Sequence, residues 1–341
     1  MAGSDARTGT PPSTRRQALV DAFRYRRQAL TERLPELPGV AYVFLLPFFV
    51  LFAVFLLFPI LYTIYLSFFT FQGVGGTTVF AIDLGFFYFP VQTISNLEFV
   101  GLRNYERLLT DRQFHNAMYN TVFILLFQVP LMITIALGLA VALDASFVRL
   151  RGLWRTTLAL PISANLVAYA TVFVLLMQEQ GLVNYALGLV GIGPIPWFTS
   201  EFWSRFTIVG AVTWRWTGYN MIILLAGLQN VPQQLYEAAE IDGANRLEKF
   251  RYVTLPQLRP VLLFVAVTST IGTFKLFSEP LIVSDAGAPL SATRTIVQYI
   301  YETAFIDFRL GYASALTWVL IAIVSALSVF QIKALGGDDG A

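Results

Sequence analysis

Six stretches of twenty or more mostly apolar residues divide the chain: Val40–Phe71, Ala117–Leu143, Trp154–Met177, Phe206–Leu228, Val261–Val283 and Tyr312–Ile332. A helix needs about 20 such residues to cross the hydrocarbon core of a bilayer, so each predicts a membrane-spanning helix. The first is long enough to tilt or to project beyond the membrane. Pro47, Pro59, Pro130 and Pro161 fall inside these runs, which membrane helices tolerate when neighbours satisfy the freed carbonyls. The pattern predicts an all-α, polytopic membrane protein with six transmembrane helices.

Residues 1–39 are polar and Arg-rich, and the apolar run behind them far exceeds the 7–15 residues of a signal-peptide core. We therefore expect a retained first span behind a basic, partly amphipathic N-terminal tail. The tail reads as a solvated element that helps set topology or as one that docks a partner or anionic lipid. Counting Lys and Arg in the connecting segments gives fifteen on the side of the N-terminus and six on the other. The positive-inside bias then puts both termini in the cytoplasm. The expected domains are the tail (1–39), a transmembrane domain (40–333) with an inside loop at 230–259, and a short acidic tail (334–341). The outer loop between Gln72 and Asn116 has no assignable fold.

Composition agrees. The chain of 341 residues is 56% hydrophobic and 13% charged, with a mean hydropathy of +0.63, against about 25% charged residues in soluble domains. Cysteine is absent and His115 is the only histidine, so thiolate and histidine-based metal sites are not expected. The basic tail carries no nucleic-acid motif. The residues before the three lysines are Glu248, Phe274 and Ile332, so no Gly-Lys-Ser/Thr phosphate-binding loop is present.

The longest polar run of the second half, EAAEIDGANRLEKFRYVTLPQLRP (Glu237–Pro260), interrupts this apolar text between the fourth and fifth spans. Pro232 favours a helix start, and Gln233–Ile241 reads as a short helix. Gly243 stops it by adopting positive φ. Asn245 with Glu248 forms a capping box that opens a second helix through Val253, ended by Leu255-Pro256. Two short helices held between two spans make a rigid knob. Ala238 and Ala239 would let a partner approach closely, and Glu237 and Asp242 can accept hydrogen bonds from basic groups.

Glu237-Ala238-Ala239, Asp242-Gly243-Ala244 and Leu255-Pro256 resemble the EAA loop of binding-protein-dependent ABC importer permeases. Gly287-Ala288-Pro289 resembles the Gly-Gly-Pro of carbohydrate permeases, with Ala288 in place of the second glycine, and Thr293–Phe305 is similar to their outer segment. The resemblance, from about Asn104 to Lys333, is to the maltose- and glycerol-phosphate-type family, to the first of its two unlike permease subunits. It implies a plasma-membrane transport subunit, not an enzyme, that moves a carbohydrate delivered by an external solute-binding protein. Glu237, Ala238, Ala239, Asp242, Gly243 and Ala244 would dock on a dimeric ATPase. ATP and Mg would be bound there, leaving this chain without a cofactor, and a second permease would complete the pore.

Charge inside apolar spans is costly and marks cavities or partners; Arg215, Lys275 and Glu279 lie there. Lys275 and Glu279, four apart, can pair on one helix face. Arg215, Trp216 and Tyr219 share a face of the fourth span, and Ser269, Thr273 and Leu276 one of the fifth. The resemblance implies that positions like these line the sugar site. Aromatic faces suit sugar C–H surfaces, and Ser, Thr and Arg suit sugar hydroxyls. Arg215 and Lys275 keep an anionic solute such as a glycerol phosphate open. Two further readings are a membrane scaffold whose loop only docks a partner and a membrane enzyme using Glu279 or Asp285. Trp197, Phe198 and Trp203 are expected at the outer interface, with His115 nearby.

Overall fold

The computed structural model describes residues 38–71, 78–83, 88–92, 97–145 and 149–335. The basic N-terminal tail and the acidic C-terminal tail lie outside the described residues, apart from their edges. The chain divides into two units, Met1–Tyr62 and Thr63–Ala341. The first holds α1 (Pro38–Phe52), which contains Pro47, and a π-helical turn at Ala53–Leu57. α2 (Phe58–Ser67) carries the chain into the second unit.

The first expected span stops as a helix at Ser67 and its last three residues form a strand, which with strands of the unassigned outer loop makes two antiparallel ribbons. β1 (Phe69–Phe71) pairs with β4 (Leu97–Phe99), and β2 (Thr78–Asp83) with β3 (Tyr88–Gln92). These are small additions to an otherwise helical chain. α3 (Arg103–Thr110) follows, fixed by Asn104 Nδ2 donating to the Ser67 and Phe69 carbonyls at 2.8 and 3.0 Å.

The second unit is built around α4 (Arg112–Asp144) and α8 (Glu201–Gln229). Ala136 and Ala140 of α4 are fully buried against Met221 and Leu224 of α8. Small residues four apart let helix backbones approach closely where lipid supplies no hydrophobic driving force. α5 (Arg151–Ser163), α6 (Leu166–Met177) and α7 (Leu182–Leu189) flank this pair. α9 (Gln233–Ile241) and α10 (Arg246–Lys249) follow, and a π-helical turn (Phe250–Thr254) leads to α11 (Leu255–Gln257). The chain re-enters the bundle as α12 (Arg259–Phe274), breaks, and continues as α13 (Ser278–Asp285), α14 (Leu290–Thr293), α15 (Ile296–Tyr301) and α16 (Leu310–Leu335).

Among the described residues four helical segments are long and apolar enough to cross a membrane: Phe44–Ser67, Arg112–Asp144, Leu166–Leu189 and Leu310–Ala334. A fifth is the pair Arg246–Gln257 and Arg259–Phe274, bent by 66°. α8, the fourth expected span, has the length at 29 residues but spends its polar side chains inside the bundle, where Arg205, Thr213 and Asn220 are buried. The third expected span is broken: α5 ends two residues after Pro161, and Asn165 Oδ1 caps α6 by accepting from the Val167 and Ala168 amides. The fifth is broken between Phe274 and Ser278.

One corner is held by Asp111. Its Oδ1 caps α4 by accepting from the Gln113 and Phe114 amides, while Oδ2 accepts from the hydroxyls of Tyr299 and Tyr312. Burial works to raise the Asp111 carboxyl, but the Tyr299, Tyr312, Phe114 and Gln113 hydrogen bonds outweigh it and hold it below its usual range. Burial and the bond to Asp111 push Tyr299 up to about 12. The ionised Asp111 therefore stabilises the fold above its unfolded pKa, and this is lost as pH falls through the lower folded value. Asp111→Ala should cost about 2 kcal/mol at neutral pH, from the lost cap and charge-assisted bonds discounted for solvent exposure. Thermal unfolding of the purified protein should show the gap from wild type closing below the ordinary carboxylate range.

Candidate functional site

The polar loop folds by local rules. The amide of Gly243 donates to the Glu240 carbonyl at 3.0 Å and that of Ala244 to Ala239 at 2.9 Å, the paired bonds of a Schellman stop, with Gly243 at φ +78°. Asn245 Oδ1 then accepts from the Leu247 and Glu248 amides, and Glu248 Oε2 accepts from the Asn245 amide at 2.7 Å, closing the capping box. The second helix does not stop at Leu255-Pro256. A π-helical turn absorbs the approach to Pro256, and the bend falls at Leu258, which is fully buried in the core that α4, α8 and α12 share.

Two contacts tie the hairpin together. Lys249 Nζ meets Glu240 Oε1 at 2.6 Å, which lowers the Glu240 pKa by hydrogen bonding and charge. The Tyr236 and Thr254 hydroxyls lie 2.9 Å apart. Glu237, Ala238, Asp242 and Gly243 are exposed, whereas Ala239 and Ala244 are half-buried. Ile241 and Leu247, which the sequence reading passed over, stand 88% and 73% exposed beside them. An amphipathic helix would have turned them inward; here both stand exposed on a polar knob.

The second feature is a cavity of about 420 Å³ between α4, α8, α12 and the start of α13. It brings together Arg215, Trp216, Tyr219, Ser269, Thr273 and Leu276, the six residues singled out in two separate stretches. Trp216 and Tyr219 meet edge to face, 6.0 Å between ring centroids, and both remain exposed to the cavity. The Thr273 hydroxyl sits 2.9 Å from both Gln128 Oε1 and the Ser269 carbonyl. Asn220 Nδ2 donates to the Trp216 carbonyl at 3.0 Å.

Lys275 and Glu279 do not share a helix face. α12 ends at Phe274 and the backbone turns at Lys275 and Phe277 before α13 begins. Glu279, 5% exposed, instead accepts from the Tyr169 hydroxyl of α6 at 2.7 Å. The Arg215 guanidinium stacks over the Tyr169 ring, 4.5 Å from its centroid, and its Nε and Nη1 are covered with no acceptor among the described residues. Tyr169 escaped the sequence reading because its partner is 110 residues away and nothing local marks it. Tyr169→Phe should leave the Glu279 carboxylate buried without its donor, at a cost of about 1–3 kcal/mol. Adding Glu279→Gln should recover part of the lost melting temperature, since a neutral amide is cheaper to bury.

The family described as binding-protein-dependent transport system inner membrane component matches residues 37–335. The chain belongs to that family. It is thus a multi-pass membrane transport subunit rather than an enzyme. It is 39% identical over 297 residues to the lactose transport system permease protein LacF of Rhizobium radiobacter, covering 86% of this chain and 93% of that one. The arabinooligosaccharides transport system permease protein AraP of Halalkalibacterium halodurans is 36% identical, over 71% of this chain and 77% of its own. The trehalose/maltose permease MalF of Thermococcus litoralis is 32% identical, over 83% and 90%. A chain of the bacterial ABC transporter that imports alginate superposes with a TM-score of 0.66 at 20% identity, over 89% of this chain and 96% of that one. That likeness establishes the ABC importer permease fold.

Proposed function

We propose that this chain is one of two permease subunits of an ATP-driven importer and moves a carbohydrate handed over by an external binding protein. The observation that carries the reading is the 420 Å³ cavity, where two aromatic rings stand among hydroxyl, amide and guanidinium groups in mid-bundle. That mixture suits a polyhydroxylated ring with apolar faces. Three relatives at 32–39% identity are named for lactose, arabinooligosaccharides and trehalose or maltose transport, which favours a neutral saccharide. One at 29% over 88% of this chain is named for sulfoquinovosyl glycerol, an anionic sugar. Arg215, with nitrogens lacking acceptors, and Lys275 support a second reading, an anionic solute.

The knob formed by Glu237–Ala244 would dock on an ATPase dimer, which alone binds ATP and Mg. Ala238 leaves room for the partner, Glu237 and Asp242 would accept hydrogen bonds from it, and Ile241 and Leu247 would be covered by it. Binding of ATP there would draw the knobs together, and the bend at Leu258 would pass the motion to α12 and its cavity residues. The bundle would then alternate between two packings, each favoured by a different ligand. The Lys and Arg distribution supports cytoplasmic termini and a cytoplasmic knob.

Uptake of labelled saccharide into proteoliposomes holding the full complex tests the substrate class. Trp216→Ala and Tyr219→Ala should each raise the half-saturating solute concentration about tenfold, equivalent to ~1.4 kcal/mol of lost contact. Uptake confined to phosphorylated or otherwise anionic solutes would replace the neutral-sugar reading with the second one.

A further inference from the structure

The end of α4 remote from the knob carries a basic surface that the transport cycle described above leaves unused. α4 spans 33 residues, about 50 Å at 1.5 Å per residue. Near its C-terminus Val141 and Asp144 line a hollow with Tyr236, Arg246 and Lys249 of the knob. At its N-terminus two adjoining hollows of about 510 and 400 Å³ share Arg107 and Thr110, and between them collect Arg103, Arg107, Arg112 and Arg309. If the knob faces the ATPase, these hollows face the external binding protein.

Among the described residues the four arginines have little to neutralise them. Of the acidic groups lining the hollows, Glu106 is exposed, and the Asp111 carboxylate is committed to two tyrosine hydroxyls and two backbone amides. The Arg107 and Arg309 guanidinium groups each stand 4.9 Å from the centroid of the Tyr312 ring. Arg309 Nη2 is covered and has no acceptor among the described residues. The surface is also fixed in place, since Asn104 and Tyr105 bind α3 to Ser67 and the ring of Tyr312 is held by Asp111. Preorganised guanidinium forks suit carboxylates of a protein partner. Exposed Leu102 and Leu109 beside them complete the mixture of arginine and apolar groups typical of protein interfaces.

We propose that this arginine-lined corner is the docking surface for an acidic face of the solute-binding protein. The inference rests on the importer reading. A protein is favoured over lipid headgroups because the cations come from two segments remote in sequence, α3–α4 and the start of α16, with Arg107 and Arg309 meeting on one fixed ring. An interfacial helix would instead array them along one edge.

The test titrates ATP hydrolysis by the reconstituted complex, in phosphatidylcholine vesicles, with the solute-loaded binding protein that stimulates the wild type. Arg103→Gln with Arg112→Gln avoids the two stacked arginines and should raise the half-saturating binding-protein concentration about tenfold at low ionic strength. The maximal rate should be unchanged, and the difference from wild type should shrink in high salt. Arg112→Gln alone should give about a threefold rise, with basal hydrolysis and yield reporting intact folding. An unchanged half-saturation in a stimulated complex overturns this inference and leaves the importer reading standing. A defect seen only in vesicles containing phosphatidylglycerol would make the surface a lipid site and overturn it too. A wild type that no binding protein stimulates removes both.

Discussion

Gly218→Ala should cripple the transporter although it adds a single methyl group. A Cβ at this position of α8 would lie 1.8 Å from the carbonyl oxygen of Leu158, 2.5 Å from its carbon and 2.9 Å from the Ala159 Cα. All three are backbone atoms of α5, so no side chain can swing away and the two helices must part. Overpacking of this kind costs about 1–3 kcal/mol and occasionally more; three backbone contacts inside 3.0 Å put Gly218 at the upper end. Tyr219 is the next residue, so the displacement also moves a cavity wall. We expect a sharp fall in yield and melting temperature of the complex, and uptake close to background. Gly138→Ala in α4 is the control: nothing lies within 4 Å of its added Cβ. It should change stability by less than about 1 kcal/mol, towards greater stability. Equal tolerance of both substitutions would mean that α5 and α8 are not packed as described.

Gly243→Val should separate ATP hydrolysis from transport without dismantling the bundle. Gly243 is exposed, with open space around it and φ at +78°. The substitution therefore brings no clash, only the steric cost of a β-branched residue in the left-handed region, about 1–2 kcal/mol or more. The chain would relieve it by unwinding the Schellman stop, which breaks the angle between α9 and α10 and releases the Lys249–Glu240 contact. Solute-stimulated hydrolysis should fall at least tenfold while the membrane subunits still co-purify. Gly243→Asn should recover much of it, since asparagine tolerates this conformation. Full stimulation in the valine variant would show that the geometry of the knob is not what couples the two subunits.

The knob was legible in the sequence because local chemistry decides it. Pro232, the Asn245–Glu248 box and Gly243 each act within four residues of themselves, and α9 runs over the residues expected of it. The apolar character of the membrane segments was legible because hydropathy needs no partner, although among the described residues four helical segments, or five with the bent pair, meet the length and hydropathy of a span rather than six. Their interruptions were not. Lys275 and Phe277 sit within an unbroken apolar text, and the backbone turns there because Glu279 is drawn to Tyr169 and Leu276 packs with Ile124 and Val212 of two other helices. A pairing rule for a continuous helix thus joined Lys275 to the wrong partner. The two stripes on α8 and α12 were readable from helical periodicity. Gln128 and Met132 of α4, which complete the wall they face, are brought in by tertiary packing, as is Tyr169 behind it, through Glu279. The β1–β4 ribbon was hidden for the same reason, because its strands find each other across more than twenty residues.

The central claim is that a solute-filled cavity in this chain communicates with ATP hydrolysis through the knob. The most direct measurement is ATPase activity of the wild-type reconstituted complex, with its binding protein empty or loaded with candidate saccharides. The account predicts several-fold stimulation by one loaded form, reduced by Trp216→Ala through higher solute demand and by Gly243→Val through a lower maximal rate. Hydrolysis indifferent to every solute, in a complex shown to be intact, would contradict it.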